Sequence, residues 1–469
     1  MSLKFYNTLS KKEEEFISIE DSNVKLYTCG PTVYNFAHIG NLRTYIFEDV
    51  LKRVLEYNGY EVNHVMNITD VGHLQSDADD GEDKMELGAK RENKSVLEIA
   101  RFYENAFVSD LKKLNIKLPN KMPRATEHID SMIKLIKRLE QNGYTYMANN
   151  NVYFSIDKFK DYYKLANLTM DELQAGSRIE VDEFKKNPLD FVLWFGNSKY
   201  ENHILKWDSP WGVGFPGWHI ECSAMAIEYL GENLDIHCGG IDHIPVHHTN
   251  EIAQSEGALG HKWVNYWMHG EFLVVDNGKM SKSNGDFLTL NKLIKDGFDP
   301  LVYRYYVLQS KYRKPLSFSY NRLRDSSKSL YSLKSKISNI LNNIDNNLSI
   351  DINKVIPYKN KFKHHINNDL NLSNAFTVLF DVIKDNDLNN LEKKALLEDF
   401  DTVFSLNLLE SNSTILSDEK LNYIEYLIKQ RNEYRKNKEW EKSDNIRELL
   451  LNEGVKIEDS RNGTTWTMI

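Results

Sequence analysis

Apolar residues recur at helical spacing at Leu42, Ile46, Val50, Leu51, Val54 and Leu55 and stop at Asn58-Gly59, which predicts a helix over residues 42–57. Residues 24–29 and 61–68 on either side read as short apolar strands, so the three segments form a βαβ unit. The same helical spacing returns at Ile129, Met132, Ile133, Ile136 and Leu139 before Gly143, and again at Leu323, Leu330, Leu333, Ile337, Ile340 and Leu341. Strands are expected at 152–156 and 234–237. At the end of the chain, residues 421–454 read as two helices closed by Gly454, and VKIEDSRNGTTWTMI reads as a hairpin turning at Arg461-Asn462-Gly463.

These shifts of pattern divide the chain into five stretches. Residues 1–118 form the first half of an α/β nucleotide-binding fold, 119–205 an insertion, 206–320 the second half, 321–410 a helical bundle and 411–469 a small α+β unit. The Asn-rich run NNIDNNLSIDINK reads as a linker, and no repeats are found. With 469 residues, 41% hydrophobic and 27% charged, the chain can bury two or more cores. A net charge of −9 argues against a protein that coats DNA, so any RNA contact must come from local patches. The start MSLKFYNTLSKKEEEF is polar, no apolar run is long enough to span a membrane, and only three cysteines occur. A cytoplasmic protein without structural disulfides is expected.

Two short strings carry the chemistry. His38-Ile39-Gly40-Asn41 falls at the start of the predicted helix, where unpaired amides and the positive dipole end favour phosphate. Gly40 leaves room for a nucleotide, and His38 can donate to phosphate oxygens. Far downstream, Lys279-Met280-Ser281-Lys282-Ser283 follows Asn277-Gly278, so both ammonium groups can meet a triphosphate from the other side. No Walker A string is present, so ATP is not held by a P-loop. Each string alone reads equally well as a chance match or a solvated loop; their order and contexts favour joint nucleotide binding.

Cys29 closes the first strand, Cys222 lies in PGWHIECSAM, and His247 and Glu251 stand at i and i+4, on one face of a helix. Two thiols, an imidazole and a carboxylate form a tetrahedral zinc set, with His248 as the alternative imidazole. The competing reading is a pair of small buried cysteines and a surface His–Glu pair. Thr69 and Asp70 sit at the carboxyl edge of the second strand, where ligands bind in such sheets. Asp242 follows a strand and could equally cap the next helix.

The two strings resemble the HIGH and KMSKS signatures of class I aminoacyl-tRNA synthetases, the second in full, the first with Asn41 in place of the last His. Asn can donate a hydrogen bond but carries no charge. The blocks TCGPTVYNFAHIGN, NITDVGHL, PRATEHI, NPLDFVLW, WDSPWGVGFPGWHIECSAMAIEYLG, DIHCGGIDH, HHTNEIAQSE and GKMSKSNGD are similar to those of the cysteinyl-tRNA synthetase family. The resemblance implies a Rossmann-type catalytic domain with an insertion, a helical bundle and a C-terminal anticodon-binding domain. It implies zinc on Cys29, Cys222, His247 and Glu251 recognising the substrate thiol, Asp242 pairing with its ammonium, Trp218 and Thr69 lining its pocket, and Mg²⁺ accompanying ATP. The implied reaction is attack of the L-cysteine carboxylate on ATP, helped by His38, Asn41, Lys279 and Lys282, and transfer of the cysteinyl group from the adenylate to tRNA(Cys), releasing AMP, by a monomer.

In the tail, the resemblance assigns anticodon contacts to Arg435, Trp440, Asp444 and Asp459; on residue type alone a solvated helix face with a packed Trp is the simpler reading. The chain departs from the family's pattern at Phe215, where Arg is usual, and at Cys238, where Gly is usual; Cys238 reads as structural, the alternative being an oxidation-sensitive thiol close to the predicted pocket. A cysteine ligase acting on a small amine would lack the tail. A non-catalytic tRNA-binding relative would have lost a signature lysine or a zinc ligand, and all are present.

Overall fold

The computed structural model describes residues 2–71, 85, 94–166, 183–197, 205–275, 288–345, 347–410, 418–460 and 463–468. Two compact units emerge from their contacts: 1–318 with 363–375, and 319–362 with 376–469.

The first unit is built on strands β1 (Asn23–Thr28), β2 (Glu61–Met66), β3 (Leu234–Gly240) and β4 (Val264–Gly270), hydrogen-bonded in the order β4-β3-β1-β2 and all parallel. Register places Tyr27 opposite His237 and Thr28 opposite Cys238. The βαβ expectation holds, with boundary differences that have local causes. Cys29 leaves the strand, although its N–H still reaches the Cys238 carbonyl at 3.2 Å. β2 ends at Met66, while Ile68 and Thr69 continue as isolated bridges to Arg124 and Thr32. β3 runs three residues beyond the predicted end because Gly239 and Gly240 keep pairing with His269 and Gly270.

Helix α1 (Ile39–Tyr57) follows β1 and is buried nearly all round, which simple amphipathicity does not predict. Its polar side is covered by Arg304, fully buried, which meets Asp49 at 2.6 Å, while Arg53 meets the same carboxylate at 2.8 Å. The three buried charges Asp49, Arg53 and Arg304 survive there because they are paired with one another. Helices α2 (Trp218–Leu230) and α3 (His247–Leu259) flank β3 in sequence and supply the other half of the site.

The insertion contains the predicted helix, Ile129–Gln141, whose Met132, Leu135, Ile136 and Leu139 are buried. It also holds an antiparallel sheet of Thr145–Ala148, Asn151–Phe154, Phe191–Phe195 and Phe215–Pro216. Phe215 is buried and stacks on Phe195 with centroids 4.8 Å apart, so an apolar ring fills core volume at that position. Cys238 is also fully buried, and its electrostatic neighbours are Glu48 and Tyr312 rather than the other two thiols. Cys238 thus packs as a structural core residue: strand alternation turns His237 to one face and Cys238 to the other.

In the second unit, Tyr320–Asn342 is the expected long helix, with Leu323, Leu330, Leu333, Ile337 and Ile340 buried and Leu341 only half-buried. Helices α4 (Asp418–Lys436) and α5 (Trp440–Asn452) and the hairpin Val455–Ser460/Gly463–Met468 follow as predicted. Ile424, Leu427, Ile446, Leu450, Val455 and Ile457 form their shared core. Among the described residues no helix is long and apolar enough to cross a membrane.

Candidate active site

The carboxyl ends of β1, β2 and β3 converge with the first turns of α1, α2 and α3. His38 caps α1: its Nδ1 accepts from the Asn41 N–H at 3.1 Å, and the Asn41 side-chain oxygen accepts from the His38 N–H at 3.3 Å. This reciprocal pair is a capping box, with Asn rather than Glu in the returning position. An Nδ1 that accepts leaves the proton of a neutral ring on Nε2, the donor a phosphate oxygen would take. Not every amide of the helix end is available: Ile39 N–H donates to the Leu288 carbonyl at 2.9 Å. Gly40 has a second reason to lack a side chain, since a Cβ there would stand 2.9 Å from the folded-back His38 ring. The other signature, Lys279, Met280, Ser281, Lys282 and Ser283, lies outside the described residues.

The second cluster is fully enclosed. The ligand atoms of Cys29, Cys222, His247 and Glu251 all lie within 4.8 Å of one another. So do those of Cys29, His237, His248 and Glu251, a set in which His237 escaped the sequence reading although the predicted strand contained it. Glu251 bridges both sets: one oxygen is 2.9 Å from His247 Nε2 and the other 2.9 Å from His237 Nε2. His248 Nε2 lies 3.2 Å from Cys29 Sγ, and its Nδ1 lies 2.8 Å from His269.

Electrostatics separates the four residues of the first set. A hydrogen bond from Cys29, with help from His247, pulls the Cys222 thiol down to about 6, whereas burial and that same contact push Cys29 up. Burial opposes charge on His247, but Glu251 and Cys222 outweigh it and raise the ring to about 10. Burial also opposes charge on Glu251, yet His237 and His247 hold its carboxylate well below the usual range. His248 and His269 are pushed down by burial and stay neutral. Two thiols, an imidazole and a carboxylate, all buried, form a donor set suited to a thiophilic divalent ion.

Trp218 stacks flat on His247, centroids 3.9 Å apart and planes 8° from parallel, which fixes that ring's orientation. The Thr69 hydroxyl accepts from Asn67 at 3.1 Å and donates to Glu221 at 3.0 Å, so it is engaged within the protein. Asp70 accepts from the Thr126 N–H and hydroxyl. Asp242 sits exposed in the short turn Ile241–His243; α3 starts only at His247, so Asp242 is not its cap.

Residues 15–328 match the model of the class I tRNA synthetase (C) catalytic domain. Over 99% of both chains the sequence is 47% identical to a cysteine–tRNA ligase of Treponema denticola. This chain belongs to the cysteine–tRNA ligase family. A second family member, from Borrelia garinii subsp. bavariensis, is 44% identical, again over 99% of each chain. A methionyl-tRNA synthetase of Mycobacterium tuberculosis, solved with methionyl-adenylate, shares the fold with a TM-score of 0.54 at 14% identity, covering 82% of this chain and 88% of that one.

In the C-terminal part of this cysteine–tRNA ligase family member, Asp459 accepts a two-pronged contact from Arg431, both distances 3.0 Å, and a further bond from Arg435. Arg431 and Thr464 hydrogen bonds hold its carboxyl well below the usual range. Trp440 is 58% exposed, not packed, and Asp444 is exposed one turn later on the same helix.

Proposed function

We infer that this chain ligates L-cysteine to tRNA(Cys) at the expense of ATP, through a cysteinyl-adenylate. The observation that carries the reading is the joint presence, at one sheet edge, of a capped nucleotide helix and a buried Cys, Cys, His, Glu set, in a chain 40–47% identical to named cysteine–tRNA ligases.

The first step is attack of the cysteine carboxylate on the α-phosphorus of ATP, with pyrophosphate leaving. His38 Nε2–H and the end of α1 meet phosphate oxygens, and Lys279 and Lys282 neutralise charge as it moves to the leaving group. Asn41 acts through the cap that holds His38 rather than as a charge. Magnesium enters with ATP. Cys29, Cys222, His247 and Glu251 would hold zinc, which would favour a substrate thiolate over a hydroxyl. Trp218 keeps His247 turned toward its partners, the Asn67–Thr69–Glu221 chain braces the floor beneath Cys222, and Asp242 pairs with the substrate ammonium. In the second step a ribose hydroxyl of the tRNA end takes the cysteinyl group, and no side-chain nucleophile is needed. A catalytic unit interrupted by an insertion, followed by a helical bundle and an anticodon unit from about residue 411, serves this division of labour.

The direct test is cysteine-dependent pyrophosphate exchange without tRNA, followed by charging of tRNA(Cys) against small amine acceptors. Exchange and charging of tRNA alone fit the reading; transfer to a free amine overturns it.

An exposed Trp beside cations is what a splayed base stacks on, at ~1–3 kcal/mol per base. Trp440→Ala is accordingly expected to raise KM for tRNA(Cys) by about 10-fold or more, leaving pyrophosphate exchange unchanged. Equal KM values would remove Trp440 from the interface. Arg435 and Asp459 meet the RNA as a ready-made pair.

A further inference from the structure

Arg43 is 97% hidden from solvent, since only 3% of it is exposed, and its guanidinium makes no salt bridge among the described residues. Its donors go to main-chain carbonyls of two separate segments. One nitrogen donates to Glu271 at 2.6 Å and to Phe272; the other donates to Lys314 and, at 3.4 Å, to Lys311. Burial lowers its pKa, so the position is costly. A rigid fork that serves four carbonyls cannot be reproduced by the point charge of Lys.

The two segments have a place in the chain that matters. Glu271 and Phe272 lead into Leu273–Val275, the last described residues before the second signature, and that strand pairs with Leu316–Phe318, just beyond Lys314. On the other flank, the first described residues, Leu288 and Thr289, are bonded to Ile39 and bridged to His38. Both flanks of the stretch holding Lys279 and Lys282 are thereby fastened to the first turns of α1, the entering flank through Arg43 and the leaving flank through Ile39.

We propose that Arg43 is a positioning residue of the adenylation step: it fixes the flank that enters the second signature against the first turns of α1, beside His38. The inference rests on the ATP reading above. A displacement on the order of 1 Å costs ~10²-fold in rate. Arg43→Lys is therefore expected to lower kcat of pyrophosphate exchange about 100-fold while the equilibrium Kd for cysteine stays within about 3-fold.

The test is a double-variant cycle in exchange kinetics with Lys282→Ala, run where circular dichroism shows each variant fully folded. Arg43 acting through the lysines predicts that the double variant is no slower than Lys282→Ala alone. Losses that multiply, an unchanged kcat in Arg43→Lys, or failure of both Arg43→Lys and Arg43→Gln to fold at any temperature would each overturn the proposal. A Lys282→Ala enzyme that exchanges at the wild-type rate would instead overturn the ATP reading beneath it.

Discussion

Cys222→Ala is expected to lose its bound metal and most of its preference for cysteine over serine. Cys222 is buried, carries the lowered thiol of the set, and stands within 4.8 Å of the three other donors. Removing it leaves three donors, of which only Cys29 is a thiol. Serine and cysteine differ by one atom, and a pocket working by shape alone separates such pairs by only about 10². Discrimination in the variant should thus fall to about 10² or below, read as the ratio of kcat/KM values in pyrophosphate exchange beside metal content by atomic emission. Retention of both metal and selectivity would remove Cys222 from the set.

Gly30→Ala is expected to be nearly as severe, for a steric reason. A Cβ at that position would lie 1.7 Å from the Asn67 carbonyl oxygen and 2.9 Å from its carbon, so backbone rather than a pliable side chain must yield. The Gly30 N–H is also bonded to the Asn67 side chain at 2.8 Å, at the head of the chain that runs to Thr69 and Glu221. Overpacking of this kind costs about 3 kcal/mol or more. At ~2–4 °C per kcal/mol, Tm should fall by about 6–12 °C. Cys29 is the preceding residue, so exchange should drop by about 100-fold as well. A stable, active Gly30→Ala enzyme would show that β1 and β2 separate more easily than their packing implies.

What could be seen in advance follows physical range. The cap on α1, the i, i+4 pair His247 and Glu251, and the two C-terminal helices with their hairpin are local, and spacing alone exposes them. The family resemblance supplied Cys29 and Cys222 as partners across a long separation. Arg43, His237 and Glu221 were missed because their meaning is tertiary: each contacts a group on another element, Glu271 after β4, Glu251 on α3 and Thr69 after β2. The buried polar face of α1 was hidden for the same reason, since Arg304, its cover, lies 255 residues from Asp49.

The order of strands in the parallel sheet has a consequence for birth on the ribosome. β1 pairs with β2 on one side, but its other neighbour, β3, is not synthesised until about two hundred residues later. Until then the nascent polypeptide carries an open strand edge beside an unfinished core, the kind of surface that chaperones shield.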